Sequence, residues 1–183
     1  MDRPVPTLRI ATLEDEAGVE ALMKASASAL FPLFYDERQA ASAVEYVAQA
    51  DPLLLRDGTY FVLESEGEMV ACGGWSRRDR MHTGSGDSDD DARPLDPATE
   101  PARVRAMFVR DDWTRRGLGR RILEECEAAA RREGFSRTVL NATLAGLPLY
   151  EAYGFVATGD LTVTMPDGVG IPCVAMEKEI PAA

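Results

Sequence analysis

Apolar positions along the chain recur with two different periods, and each change of period marks an element. Val5 to Ala11 alternates, with Leu8 and Ile10 on one face, and predicts a first strand. Thr12, Asp15 and Glu16 then place acidic groups where the positive end of a helix would lie. Val19, Leu22, Met23, Ala27 and Leu30 continue with helical spacing. Phe31 to Tyr35 interrupts it, and Arg38 to Ala48 predicts a second short helix. Tyr60–Leu63 and Met69–Cys72 read as a hairpin around a polar turn containing Gly67. Val104 to Val109 is strand-like and precedes a helix from Gly117 to Arg132, whose buried face would carry Leu118, Ile122, Cys126, Ala129 and Ala130. A strand at Thr138–Leu140 follows, then a short helix opened by Pro148 and ended near Gly154. Phe155–Val163 and Ile171–Met176 close the pattern as a hairpin around Pro166-Asp167-Gly168.

The sum is a mixed α/β (α+β) chain without internal repeat or dividing linker, read as one domain over residues 1–183. Its predicted core is a mixed, mostly antiparallel sheet of about seven strands flanked by about four helices. Residues 76–101 are the least core-like stretch. They hold Gly84-Ser85-Gly86 and the run Asp87-Ser88-Asp89-Asp90-Asp91, and a connection of that length predicts a mobile loop. The acidic run reads as a solvated tip rather than a metal site.

Composition narrows the function classes. The 183 residues are 45% hydrophobic and 28% charged, an ordinary globular mix. No apolar run reaches membrane-spanning length, and Met1 to Pro6 lacks the layout of a signal peptide, so a cytoplasmic protein without membrane contact is expected. Cys72, Cys126 and Cys173 are too scattered for a disulfide framework or a zinc site and read as small buried hydrophobes, and no metal is expected. A net charge of -11 argues against nucleic acid as a partner and favours a cationic small molecule.

The chemistry concentrates in Phe108 to Arg121, where a strand passes through a glycine-bearing turn into a helix. Free N–H groups at such a helix start hold phosphate oxygens, and Gly117 and Gly119 would permit close backbone approach. Arg115, Arg116, Arg120 and Arg121 crowd the positive end of the helix dipole, an arrangement that a bound polyphosphate would reverse into attraction. The P-loop pattern is absent, and the third glycine of a dinucleotide-binding turn is replaced by Ile122.

Arg116-Gly117-Leu118-Gly119-Arg120 at the head of an amphipathic helix resembles the acyl-coenzyme A motif of the GCN5-related N-acetyltransferases. Pro148-Leu149-Tyr150-Glu151-Ala152-Tyr153-Gly154-Phe155 resembles that family's second marker, and the element order is similar along nearly the whole chain. The resemblance implies an acetyl-CoA co-substrate and a small-molecule or peptide amine as acceptor. It implies that backbone amides of Arg116, Gly117, Leu118, Gly119 and Arg120 hold the pyrophosphate, with Arg115 and Arg116 as nearby cations. Main-chain groups of Met107, Phe108 and Val109 would pair with the pantetheine arm like an added strand. Asn141 either bonds that arm or serves as a turn residue. Tyr150 would be catalytic, sharing its proton with the leaving thiolate.

The attacking amine must be neutral, and a lysine-like amine titrates at about 10.4. Where relatives often carry a glutamate base this chain has Ala106, leaving Glu100, His82 (the lone histidine) or water as candidates. Thr114 replaces a glutamine or arginine and is expected to cap the helix. Phe31, Phe34 and Tyr35, with Trp75 nearby, are the candidate acceptor wall. A non-catalytic acyl-CoA sensor on the same fold is the alternative. Transfer to oxygen, the acceptor's identity and a homodimer through exposed strand edges are left open by the sequence.

Overall fold

The computed structural model describes residues 4–82 and 92–183. Seven strands and five α-helices lie among the described residues: β1 (Thr7–Ile10), α1 (Glu16–Leu30), α2 (Glu37–Tyr46), α3 (Pro52–Asp57), β2 (Tyr60–Ser65), β3 (Glu68–Ser76), β4 (Ala102–Val109), α4 (Leu118–Arg132), β5 (Arg137–Thr143), α5 (Leu147–Tyr153), β6 (Val156–Thr164) and β7 (Gly170–Glu179). The mixed α/β class and the seven strands match the expectation. The fifth helix, α3, does not. Asp51 caps it, Pro52 occupies its first turn and Gly58, at φ 69°, ends it. The apolar triplet Leu53-Leu54-Leu55 is too short to show a period, so the helix is legible only through its caps.

The sheet runs β1-β2-β3-β4-β5-β7-β6, and only the β4–β5 pair is parallel. Helices α1 and α2 cover one face through Val19, Met23, Ala27, Phe31 and Ala43. Helix α4 covers the other through Leu118, Ile122, Cys126 and Ala130, the stripe its sequence predicts. Alternation along β3 sends Trp75 to this second face, where it meets Phe135 edge-on at 5.9 Å. The expectation that Trp75 joins the acceptor wall is therefore corrected.

The stretch around 76–101 is described only at its flanks, and the acidic run 87–91 lies outside the described residues. The flanks are tied together: Asp79 N–H donates to Arg93 carbonyl at 2.9 Å, and Leu95 N–H to Arg77 carbonyl at 2.8 Å. Glu100 accepts both nitrogens of the Arg93 fork, at 2.7 and 2.9 Å. No helix among the described residues is long and apolar enough to cross a membrane.

Candidate active site

The site begins with a defect in β4. Two residues, Ala106 and Met107, stand opposite Gly73 of β3, since Cys72 pairs with Phe108 and Gly74 with Arg105. Ala106 adopts a left-handed φ of 51°, uncommon for a residue with a Cβ. The Tyr60 hydroxyl donates to its carbonyl at 2.6 Å and pins the bulge from β2. Such a bulge bends and twists its strand. On the other side, β4 pairs with β5 only at Ala102 and Arg103, so the two parallel strands part beyond them. The β4 edge facing the gap, from Val104 to Val109, has no strand partner on the β5 side.

A cavity of about 770 Å³ fills the gap, lined from both faces of the sheet. At its α4 end the wall is Val109, Trp113 to Arg115 and Gly117 to Gly119. Gly117, at φ 77°, opens α4, and no side chain caps its first-turn N–H groups. Contrary to the sequence expectation, Thr114 does not cap the helix, because its hydroxyl turns back and donates to Asp111 carbonyl at 2.9 Å. A helix start without side-chain acceptors, facing a cavity, suits an anion.

The four arginines separate into two groups. Arg115 lines the cavity from an exposed, left-handed position (φ 60°), and Arg116 stacks over the Trp113 ring at 5.1 Å. Arg120 instead lies over Tyr153 at 5.4 Å, within 3.7 Å of Glu124. Arg121 donates to the Pro6 carbonyl at 2.8 Å. Only the first pair is left at the helix mouth, so half of the apparent charge crowding is structural. Gly119 is also explained differently from its sequence reading. A Cβ there would come within 2.6 Å of Leu149 Cδ2, so its smallness lets α5 close on α4.

Of the residues singled out in sequence, Met107, Phe108, Val109, Arg115, Gly117, Leu118, Gly119, Asn141 and Tyr150 line this one cavity, while Arg116 and Arg120 stand outside it. Tyr150, 8% exposed, stacks on Phe155, and burial pushes its phenol well above the usual value. The phenol makes no hydrogen bond to a described residue and so keeps its proton available to the cavity.

The opposite end, on the α1 face, gathers Leu30, Phe31 and Phe34 with Val163, Met165 and Ile171, and Met81 and His82 complete the rim. Phe31 and Phe34 are where the sequence places them. Tyr35 is not in the wall: its hydroxyl donates to Pro172 carbonyl at 2.9 Å and accepts Leu144 N–H at 2.8 Å, locking the acceptor-side loops. The β6–β7 residues were missed, since nothing in their local pattern shows which face of the hairpin meets α1. Arg105, almost wholly buried in the wall of this end, pairs with Asp51 at 3.0 Å. Glu100 is not in the lining, and its bidentate bond with Arg93 holds its carboxyl down at about 2.

A family model described as the acetyltransferase (GNAT) domain matches residues 56–157. A GCN5-related N-acetyltransferase from Rhodopseudomonas palustris superimposes with a TM-score of 0.73 at 19% identity, covering 98% of each chain. The paia N-acetyltransferase of Thermoplasma acidophilum, solved with coenzyme A, gives 0.63 at 12% identity, covering 96% of this chain and 99% of its own. The yncA protein of Salmonella typhimurium, solved with acetyl-CoA, gives 0.61 at 17% identity, covering 98% and 96%. No protein of curated function matches the chain in sequence.

Proposed function

Because the chain belongs to the GNAT acetyltransferase family, we propose that it transfers an acetyl group from acetyl-CoA to a primary amine of a small molecule or peptide. The observation that carries this reading is the unpaired β4 edge followed, after the short turn 110–117, by the uncapped start of α4. An extended arm and its pyrophosphate need these two features, in this order. The coenzyme-bearing relatives of the same fold lend it support.

Leu118, Gly119 and Arg120 offer first-turn amides to the phosphates, with Arg115 and Arg116 beside them. Met107, Phe108 and Val109 offer main-chain groups to the pantetheine arm, and Asn141 faces it from β5. Acetyl-CoA, when bound, supplies the thioester carbonyl. A β4 amide beside the bulge stabilises negative charge developing on that oxygen. Tyr150 donates its proton to the departing sulfur. His82 takes the proton from the attacking nitrogen. Among the described residues of the lining it is the one side chain of a type that accepts a proton near neutral pH, because no described Asp or Glu is there and burial lifts the Cys173 thiol to about 11.

The test is calorimetric titration with acetyl-CoA, coenzyme A and ATP, followed by thiol release with amines. Saturable acetyl-CoA binding that ATP does not match, with amine-dependent thiol release, is the expected result. Binding without release would leave an acyl-CoA sensor. Absence of binding in folded protein would remove the coenzyme site.

A further inference from the structure

Resting on the acetyl-transfer reading above, we infer that the acceptor is a monoamine carried on an apolar, aromatic or branched aliphatic body, and not a polyamine or a lysine-rich peptide. The net charge of -11 suggests a cationic acceptor, yet among the described residues no aspartate or glutamate lines the cavity. Three described acids that flank or bond lining residues of the α1 end, Asp51, Asp36 and Asp167, are already engaged. Asp51 faces Arg105 and Arg80, at 3.0 and 3.4 Å. Asp36 caps α2 by accepting Gln39 N–H at 2.8 Å. Asp167 accepts the Ser42 hydroxyl at 2.9 Å and Val169 N–H at 3.1 Å.

Carbon and sulfur make up most of the described lining at this end, with His82 and Arg105 as polar members. Phe31 and Phe108 pack with ring centroids 6.4 Å apart, and Met165, Ile171 and Cys173 close the opposite wall. At the mouth, Phe34 is 45% exposed and Leu33 is 72% exposed, an apolar lip continuous with the cavity. A second ammonium on the acceptor would lose its water here and find no carboxylate in the described lining, a heavy penalty. An apolar body gains by covering these same side chains.

The lack of acids also bears on the missing glutamate at Ala106. A mostly apolar wall that includes the buried Arg105 disfavours an ammonium and favours the neutral amine that can attack. The wall that selects the body of the acceptor thus lightens the demand on a base.

The experiment uses the full chain with saturating acetyl-CoA and three acceptors: 2-phenylethylamine, spermidine and an oligolysine peptide. We expect kcat/KM for 2-phenylethylamine to exceed the others by at least about tenfold. Equal or better turnover of spermidine or oligolysine overturns the inference and leaves the enzyme reading intact. Acetyl-CoA binding by calorimetry with no turnover of any amine overturns the transfer reading itself, and this inference with it. Phe34→Asp places one carboxylate on the exposed lip, where folding tolerates it. It should raise KM for 2-phenylethylamine about tenfold and narrow the gap to spermidine, with KM for acetyl-CoA unchanged. An unaltered preference in that variant counts against the apolar wall.

Discussion

The α4 end of the cavity comes from one continuous stretch, Val109 to Gly119, whereas the α1 end is gathered from widely separated ones: Leu30 to Phe34, Met81 with His82, and Val163 to Cys173. The first end is made of backbone N–H groups and guanidinium, and its chemistry is a property of one turn. The second is made of side-chain surface, and its chemistry exists only once α1, the β3 exit and the β6–β7 hairpin have packed. Recognition of a shared coenzyme needs only local geometry. Recognition of an acceptor is written in packing, where changing any one segment reshapes the wall.

The largest effect expected is at the support of the α1 end. Asp51→Ala would leave Arg105 buried without its carboxylate and remove the cap of α3, costing roughly 3–5 kcal/mol. Urea unfolding checks this, and a loss below about 1 kcal/mol would mean that Arg105 finds another partner. Gly119→Glu should strike the α4 end by pushing on Leu149 and bringing negative charge to the helix start. Acetyl-CoA affinity should fall roughly 100-fold or more in calorimetry. If affinity in the folded variant is unchanged, the phosphates lie elsewhere.

Between the two ends, His82→Gln should lower kcat about 100-fold and remove the acidic limb of the pH–rate profile, since only neutral imidazole accepts the proton. Acetyl-CoA affinity should not move, and a retained acidic limb would exclude His82 as base. Tyr150→Phe should slow turnover roughly tenfold at unchanged acetyl-CoA affinity. Its hydroxyl holds no described residue, so the melting temperature should stay put. Wild-type turnover would remove Tyr150 from the reaction. Smallest is Arg116→Ala, which leaves Arg115 in place and should weaken coenzyme binding about threefold, mainly at low salt.

How much of this was legible beforehand follows the same division. The α4 stripe of Leu118, Ile122, Cys126 and Ala130 and the seven strands were readable because helical and strand periods are local. The three cysteines are buried and unpaired, as their spacing suggested. The arginine cluster was readable as a list but not as a site, because Arg120 and Arg121 are taken up by Tyr153 and the Pro6 carbonyl. Trp75 was placed near the acceptor wall because Gly73 and Gly74 before it leave no side-chain alternation from which to read its face. The base could be narrowed to candidates but not chosen, since Glu100 and His82 differ only in where folding leaves them.

By itself the sequence determined the order of elements other than α3, the single sheet and a glycine–arginine turn fit for phosphates, because hydrogen-bonding needs and side-chain periodicity act over a few residues. Tertiary structure alone decided that β4 parts from β5 and that Ala106 bulges under Tyr60. It alone left an acidic protein with no acid in the described lining of its cavity. The physical reason is that bulges, strand divergence and the pairing of Asp51 with Arg105 depend on groups dozens of positions apart. Their encounter is set by how the two faces of the sheet pack, and no local pattern records it.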